Sequence, residues 1–312
     1  MKYKRNILVT GGAGNIGGSL ASRLVADPEN YVVVVDDLST GEARKLPDSK
    51  AKNFRFVKLD VNDYRAISSV MTSKKFDYVF HYAAVVGVQR TLASPLLVLS
   101  DIDGIRNVLE LSKNTGVQRV FYSSSSEVYG EPFEVPQNEE TTPLNSRLPY
   151  AIIKNLGESY FKTYGREFGM DYTIFRFFNT YGPNQSEDFV LPKFLNCALK
   201  NEPITLYGDG SQTRTFCYVD DNIETTIRCL YDNCSVNETL NVGSDQEMSV
   251  SELAEVIIEH TNSNSEIKRL PALPEGDMTR RCPDISKMRE ILDRPLTSLA
   301  DGLAKMVKSV EG

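Results

Sequence analysis

A chain whose first apolar run leads straight into Thr10-Gly11-Gly12-Ala13-Gly14-Asn15-Ile16-Gly17-Gly18 has few folds open to it. The run before it, Asn6-Ile7-Leu8-Val9, reads as a buried strand, and Ser19-Leu20-Ala21-Ser22-Arg23-Leu24-Val25 has helical spacing. Read as Gly12-x-Gly14-x-x-Gly17, the stretch is a strand–turn–helix with glycine where a dinucleotide pyrophosphate requires it. One glycine makes the turn, one lets the backbone approach the phosphates, and one lets the helix pack close to the strand. The helix N-terminus adds free N–H groups and the positive end of its dipole.

The next strand, Tyr31-Val32-Val33-Val34-Val35, is continuous and β-branched, as expected of a strand covered on both faces of a parallel sheet. It ends in Asp36-Asp37, with Asp36 nineteen residues beyond Gly17. An acidic side chain there accepts hydrogen bonds from the adenosine ribose hydroxyls and repels a 2′-phosphate, which favours NAD over NADP. Phe54–Val57, Asp77–Ala84, Val117–Tyr122 and Tyr172–Arg176 continue as strands, separated by helical stretches at Tyr64–Met71, Leu96–Thr115 and Tyr150–Phe168. That alternation predicts an α/β fold, a Rossmann-type doubly wound parallel sheet with its ligand crevice at the C-terminal strand ends. The expected division is a dinucleotide-binding domain over residues 1–178 and a smaller mixed α/β substrate lobe over 179–312, with room for the chain to cross back to the sheet. The lobe has short helices near Phe189–Leu199, Asp220–Tyr231, Val250–Glu259 and Leu299–Val310, with turns such as Tyr207-Gly208-Asp209-Gly210.

A net charge of −7, from 35 basic and 42 acidic residues without a basic tract, argues against nucleic acid or an anionic membrane surface as partner. Five cysteines with no CxxC pair point to free thiols in a reducing compartment. Met1-Lys2-Tyr3-Lys4-Arg5 leads into the first strand with no apolar targeting run, and no stretch reaches the length of a membrane span. The expectation is a cytoplasmic protein. With only His81 and His260 and no ligand-spaced cluster, no metal site is expected.

Tyr150 and Lys154 are spaced i, i+4 and so share one helix face. A phenol is a poor base at neutral pH, and a neighbouring ammonium favours its phenolate, which makes Tyr150 a general base for an alcohol or sugar hydroxyl. A serine run at the end of the fifth strand supplies a hydroxyl partner.

In order along the chain stand TGGAGNIGG, Asp36, Asp60-Val61, His81-Tyr82-Ala83-Ala84, SSSSEVYG, Pro149-Tyr150-x-x-x-Lys154, RFFNTYGP (Arg176–Pro183) and YGDGSQTRTFCYVDD (Tyr207–Asp221). This set resembles the extended short-chain dehydrogenase/reductases that modify nucleotide sugars, over essentially the whole chain. The resemblance implies tightly held NAD, a nucleoside-diphosphate sugar, most readily a UDP-sugar, in the C-terminal lobe, and transient oxidation at sugar C4. It places Ser125 beside Tyr150 as the hydroxyl that shares the proton, and Lys154 on the nicotinamide ribose. The NAD contacts it implies are Gly11, Gly14, Asn15, Ile16, Gly17, Asp36, Asp37, Ser39, Thr40, Gly41, Asp60, Val61, Tyr82, Ala83, Ala84, Ser123, Tyr150, Lys154 and Phe177. Substrate contacts fall on Ser125, Asn179 at the diphosphate, Lys193, Tyr207, Gln212, Arg214 and Arg281.

The chain departs from the family pattern at several points. Asn15 stands where Phe or Tyr is usual, and Asp101 where Asn is common. Pro274-Glu275-Gly276-Asp277 replaces an Arg-Pro-Gly-Asp whose arginine meets the diphosphate, leaving Arg280 or Arg281 as the substitute cation. The fate of the 4-keto sugar separates three reactions. A 4-epimerase returns hydride to the other face, a UDP-glucuronate decarboxylase first loses carbon dioxide, and a 4,6-dehydratase uses a glutamate on the C5 proton. Glu127 resembles the glutamate of the last two, and so does GDGSQTRTFCYVDD for the decarboxylases, whereas Ala83-Ala84-Val85-Val86-Gly87-Val88-Gln89 resembles the epimerase loop. The expected reaction is that of a UDP-hexose 4-epimerase, with the other two as alternatives. A non-catalytic NAD sensor of this fold would need no activated phenol. A homodimer is expected, since the helices from Leu96 and Tyr150 carry more apolar surface than one sheet face needs and family members pair such helices.

Overall fold

Among the residues described by the computed structural model, 3–271 and 280–311, seven parallel strands form the central sheet. They are β1 (Arg5–Thr10), β2 (Asn30–Asp36), β3 (Phe54–Lys58), β4 (Tyr78–His81), β5 (Arg119–Ser125), β6 (Asp171–Phe177) and a returning strand Glu238–Val242. β1 lies between β2 and β4, with Thr10 opposite Val35 on one side and His81 on the other. From there β2 and β3 run one way and β5, β6 and Glu238–Val242 the other. The order therefore reverses at β1, which puts a crevice outside the C-terminal ends of β1 and β4, directly at the glycine turn.

Strand alternation assigns each side chain to a layer. Ile7, Val9, Val32, Val34, Phe80, Phe121 and Phe175 are buried against α1 (Asn15–Val25) and the helices of the C-terminal part. Leu8, Val33, Val35, Val79, Val120, Tyr122 and Ile174 pack on the other face with α2 (Tyr64–Ser73) and with residues of two later helices, Asp101–Thr115 and Pro149–Phe168. Both faces are dry, so the strands read as unbroken apolar runs. α2 begins on Asp63, whose carboxylate accepts from the Arg65 and Ala66 N–H groups.

Two local features differ from expectation. The single helix expected over Leu96–Thr115 is α4 (Pro95–Leu99) followed by α5 (Asp101–Thr115), with a turn at Ser100, and α3 (Val88–Ala93) precedes them. The strand expected over Asp77–Ala84 ends at His81, because beyond it the Tyr82 and Ala83 N–H groups turn to the Thr10 hydroxyl. α6 (Pro149–Phe168) starts with Pro149 in its first turn and stops at the left-handed Gly169.

The C-terminal part contributes α7 (Val190–Leu199), α8 (Val219–Tyr231), α9 (Val250–Thr261), α10 (Ser286–Leu292) and α11 (Leu299–Glu311). Between α8 and α9 the chain crosses back, and Glu238–Val242 pairs with β6 from Thr173 to Phe177. No helix among the described residues is long and apolar enough to cross a membrane.

Candidate active site

The strand ends open into a cleft of about 630 Å³, walled on the far side by residues of the C-terminal part. Its floor is the glycine turn. Gly11 has φ 68°, and a Cβ there would lie 2.5 Å from the Ala83 nitrogen. A Cβ on Gly17 would overlap the Gly11 carbonyl oxygen, so α1 can sit this close to β1 only without one. No side chain caps the first turn of α1, and the Asn15 Oδ1 is buried with no protein partner. Open amides at the start of α1 and a backbone-lined cradle fit the pyrophosphate of NAD. Asp36 completes the fit: its carboxylate accepts from the Ala13 N–H (2.9 Å) and the Leu38 N–H (2.8 Å), and it faces the cleft at the end of β2. Gly17→Ala is expected to weaken NAD binding at least about tenfold by calorimetry, which corresponds to ~1.4 kcal/mol. Wild-type affinity would show that the close approach is not needed.

Every expected NAD and substrate contact lines this cleft except Lys154. The cleft gathers Asp37, Ser39, Thr40, Gly41, Asp60, Val61, Tyr82, Ala83, Ala84, Ser123 and Phe177 around the turn, and Asn179, Lys193, Tyr207, Gln212, Arg214 and Arg281 towards the opposite wall. Lys154 is buried behind it. Its ammonium donates to the Ser123 carbonyl at 2.6 Å and stands 5.2 Å from the Tyr122 ring centre and 5.7 Å from that of Tyr150. Burial lowers the ammonium to about 8, opposed by the Asp101 carboxylate.

Ser125 is the last residue of β5, and its hydroxyl accepts from the Glu127 N–H at 3.2 Å and hydrogen-bonds the Tyr150 phenol. Lys154 is not among the groups that shift the Tyr150 phenol. Burial pushes it up, the Glu127 and Asp101 charges add to that, and the Ser125 hydrogen bond and Arg281 pull the other way. The lysine is aimed at the Ser123 carbonyl, so its charge reaches the phenol weakly.

The two adjacent arginines separate cleanly. Arg281 lies in the cleft wall with its Nη2 2.7 Å from Glu127 Oε1, both side chains largely buried. Arg280 turns outward into a fork on Glu247 at 2.7 and 2.5 Å. Pro274–Asp277 lies outside the described residues. Asn179, left-handed at φ 34°, donates to the Thr215 carbonyl at 3.0 Å. Arg214 is buried and donates to the Thr213 carbonyl at 2.7 Å, and the Lys193 ammonium stands 5.7 Å from the Tyr207 ring centre.

Sequence reasoning missed the support behind these groups. Glu158 continues the helix face of Tyr150 and Lys154 and accepts from Ser124 Oγ (2.6 Å), Arg176 Nε (2.9 Å) and Arg176 Nη2 (2.7 Å). Arg176 also donates to the Tyr129 hydroxyl at 2.8 Å, which donates to Asn241 Oδ1 at 2.8 Å in the returning strand. Burial alone would raise the Glu158 carboxyl; the Arg176 fork holds it below its usual range. The available signals were the i, i+4, i+8 series on α6 and a lone arginine within Ile174–Phe178. Asp101, singled out only as a departure, also lines the cleft, and its carboxylate accepts from the Val85 N–H at 2.8 Å.

Comparison with known proteins agrees with this geometry. The model of the NAD dependent epimerase/dehydratase family matches residues 7–243. A putative UDP-glucose 4-epimerase of Methanocaldococcus jannaschii is 35% identical over 309 residues, covering 96% of this chain and 97% of its own. A UDP-N-acetyl-alpha-D-glucosaminuronate decarboxylase of Bacillus cytotoxicus is 33% identical over 319 residues, covering 98% and 97%. The solved UDP-glucose 4-epimerase of Thermotoga maritima, with UDP-glucose, superposes with a TM-score of 0.91 at 32% identity over 98% of each chain. With sequence, fold and cleft in agreement along nearly the whole length, the chain belongs to the NAD-dependent epimerase/dehydratase family and is an enzyme with NAD as its cofactor.

Proposed function

We propose that the chain is a UDP-hexose 4-epimerase that works through a transient 4-keto sugar. The Ser125–Tyr150 hydroxyl pair at the cleft floor supports oxidation at a sugar hydroxyl, with Tyr150 taking the proton and Ser125 sharing it. NAD, when bound, would supply the hydride acceptor and donor for this chemistry. Asp36 and the glycine turn would hold the dinucleotide, and Lys154, buried behind the cleft on the Ser123 carbonyl and 5.7 Å from the Tyr150 ring centre, would be the cation for its nicotinamide ribose. Asn179, Lys193, Tyr207, Gln212, Arg214 and Arg281 hold the nucleoside diphosphate. A uridine base is favoured because the two relatives and the solved epimerase are named for UDP-sugars.

The observation that carries the epimerase reading is the Arg281–Glu127 ion pair. A carboxylate held by a guanidinium at 2.7 Å is a poor proton acceptor, and Ala84-Val85-Val86-Gly87, from the loop that resembles the epimerases, lines the same cleft. The second reading, a UDP-glucuronate decarboxylase or a 4,6-dehydratase, draws on the same Glu127, which lines the cleft and whose charge reaches Tyr150. Incubation with UDP-glucose, UDP-galactose and UDP-glucuronate, followed by NMR of the products, separates them. Interconversion of the hexoses is expected. Carbon dioxide from UDP-glucuronate, or a 4-keto-6-deoxy product, would overturn it. Glu127→Gln is expected to keep epimerase activity within about threefold, whereas a proton-transferring glutamate would cost about 10²-fold or more.

A second copy of this chain is the proposed partner. Leu96 is 81% exposed on α4 and Leu156 41% exposed on α6, and Leu99 and Ile152 extend the same two helices. Light scattering is expected to give a dimer mass, and Leu156→Arg to halve it. A monomeric wild type would contradict the pairing.

A further inference from the structure

Cys229 and Cys234 lie at the opposite end of β5 from Ser125, about 20 Å along the strand. Cys229 is fully buried in the last turns of α8, while Cys234 is only partly covered. Beyond Tyr231 the chain reverses tightly, with Asn233, Ser235 and Asn237 all left-handed at φ 51°, 53° and 61°. The reversal returns Cys234 against the helix end, where its thiol donates to the Arg228 carbonyl oxygen at 3.9 Å and neighbours the Cys229 thiol. A buried guanidinium holds both backbones in place. Arg119 donates to the Cys229 carbonyl at 3.0 Å and to the Cys234 carbonyl at 2.6 Å, and it also reaches the Thr173 hydroxyl.

We propose that Cys229 and Cys234 form a peroxide-reactive dithiol that closes to an intramolecular disulfide. The pair joins the end of α8 to the loop that feeds the edge strand Glu238–Val242, so closure ties that strand to its preceding helix. The site is independent of the epimerase reading.

Cys234 is the attacking sulfur. It is the accessible member, and the neighbouring Cys229 thiol, with the Arg119 guanidinium, lowers its thiol to about 6 against the opposing effect of burial. Burial instead pushes Cys282 up to about 11 and raises Cys217. The Cys234 thiolate forms a bond to one oxygen of hydrogen peroxide, the O–O bond breaks, and hydroxide leaves to become water. The sulfur, now a sulfenic acid, is attacked by Cys229; the S–S bond forms, the S–O bond breaks, and the hydroxyl leaves with the Cys229 proton as a second water. Two thiols are oxidised to one disulfide while one peroxide is reduced to two waters.

The test treats the full-length protein with hydrogen peroxide and counts thiols. Five are present in the chain, and three are expected after oxidation, with the tryptic peptide that begins at Cys229 and contains Cys234 lighter by two hydrogens. A reductant should restore all five. In Cys229→Ser, a sulfenic acid should persist at Cys234 and be trapped by dimedone. Should that variant fold poorly, alkylation of the wild type by iodoacetamide serves: the Cys234 rate should level off above about pH 6. Unchanged thiols under peroxide, a disulfide between other cysteines, or a Cys234 rate still rising at pH 9 would overturn the proposal.

Discussion

Replacing Tyr150 by Phe is expected to lower kcat by about 10²–10⁴-fold while NAD remains bound. The phenol is the acidic hydroxyl that lies in the cleft, hydrogen-bonds Ser125 and stands in front of the buried Lys154. Its removal deletes the proton acceptor, and the phenyl ring keeps the packing of the first turn of α6. Burial holds the phenol above its ordinary value, so it is protonated at neutral pH, and the positive charge of bound NAD would favour its ionisation. Ultraviolet difference titration should therefore place Tyr150 above the usual tyrosine range without ligand, and lower once NAD is bound. Rapid-quench kinetics on the Phe variant checks the first expectation. A loss smaller than about tenfold would remove Tyr150 from the role of base.

Arg176→Met is expected to destabilise the protein by about 3–5 kcal/mol, because it leaves the Glu158 carboxylate buried with its main partner gone. The pair is almost wholly buried, Arg176 at 2% and Glu158 at 1% side-chain exposure, at a separation of 2.7 Å. It joins β6 to α6, and through Ser124 and Tyr129 it also joins β5 and the returning strand. At about 2–4 °C per kcal/mol for a chain of this class, the thermal midpoint should fall by roughly 10 °C. Replacing both partners, Arg176→Met with Glu158→Leu, should recover much of the loss, since no lone charge then remains in the core. Calorimetry of the single and double variants reads this. A single variant within about 1 kcal/mol of wild type would mean that water reaches Glu158.

What the sequence made legible follows from how local each signal is. Gly11, Gly14 and Gly17 answer to one turn and one helix start, and Val32–Val35 to a strand covered on both faces, so spacing alone located them. Tyr150 and Lys154 were legible as an i, i+4 pair, but the lysine's aim at the Ser123 carbonyl depends on where β5 ends and needed the fold. The crossing back to the sheet was expected, but Glu238–Val242 was not located as its strand, because it is five residues long, has only two apolar side chains, and follows a run of left-handed Asn and Ser turns. Its place beside β6 is set by a pairing more than sixty residues away in sequence. The choice between Arg280 and Arg281 could not be read from two neighbouring identical residues. Arg280 forms an isolated bridge with Thr213 and turns to Glu247, and Arg281 meets Glu127.

A UDP-hexose carrying deuterium at C4 tests the central claim most directly. If the cleft oxidises and re-reduces the same carbon, NMR and mass spectrometry of the product should find the deuterium at C4, undiluted by solvent hydrogen. Deuterium recovered at C6, deuterium lost to water, or deuterium at C4 of a product whose C4 configuration is unchanged would contradict it.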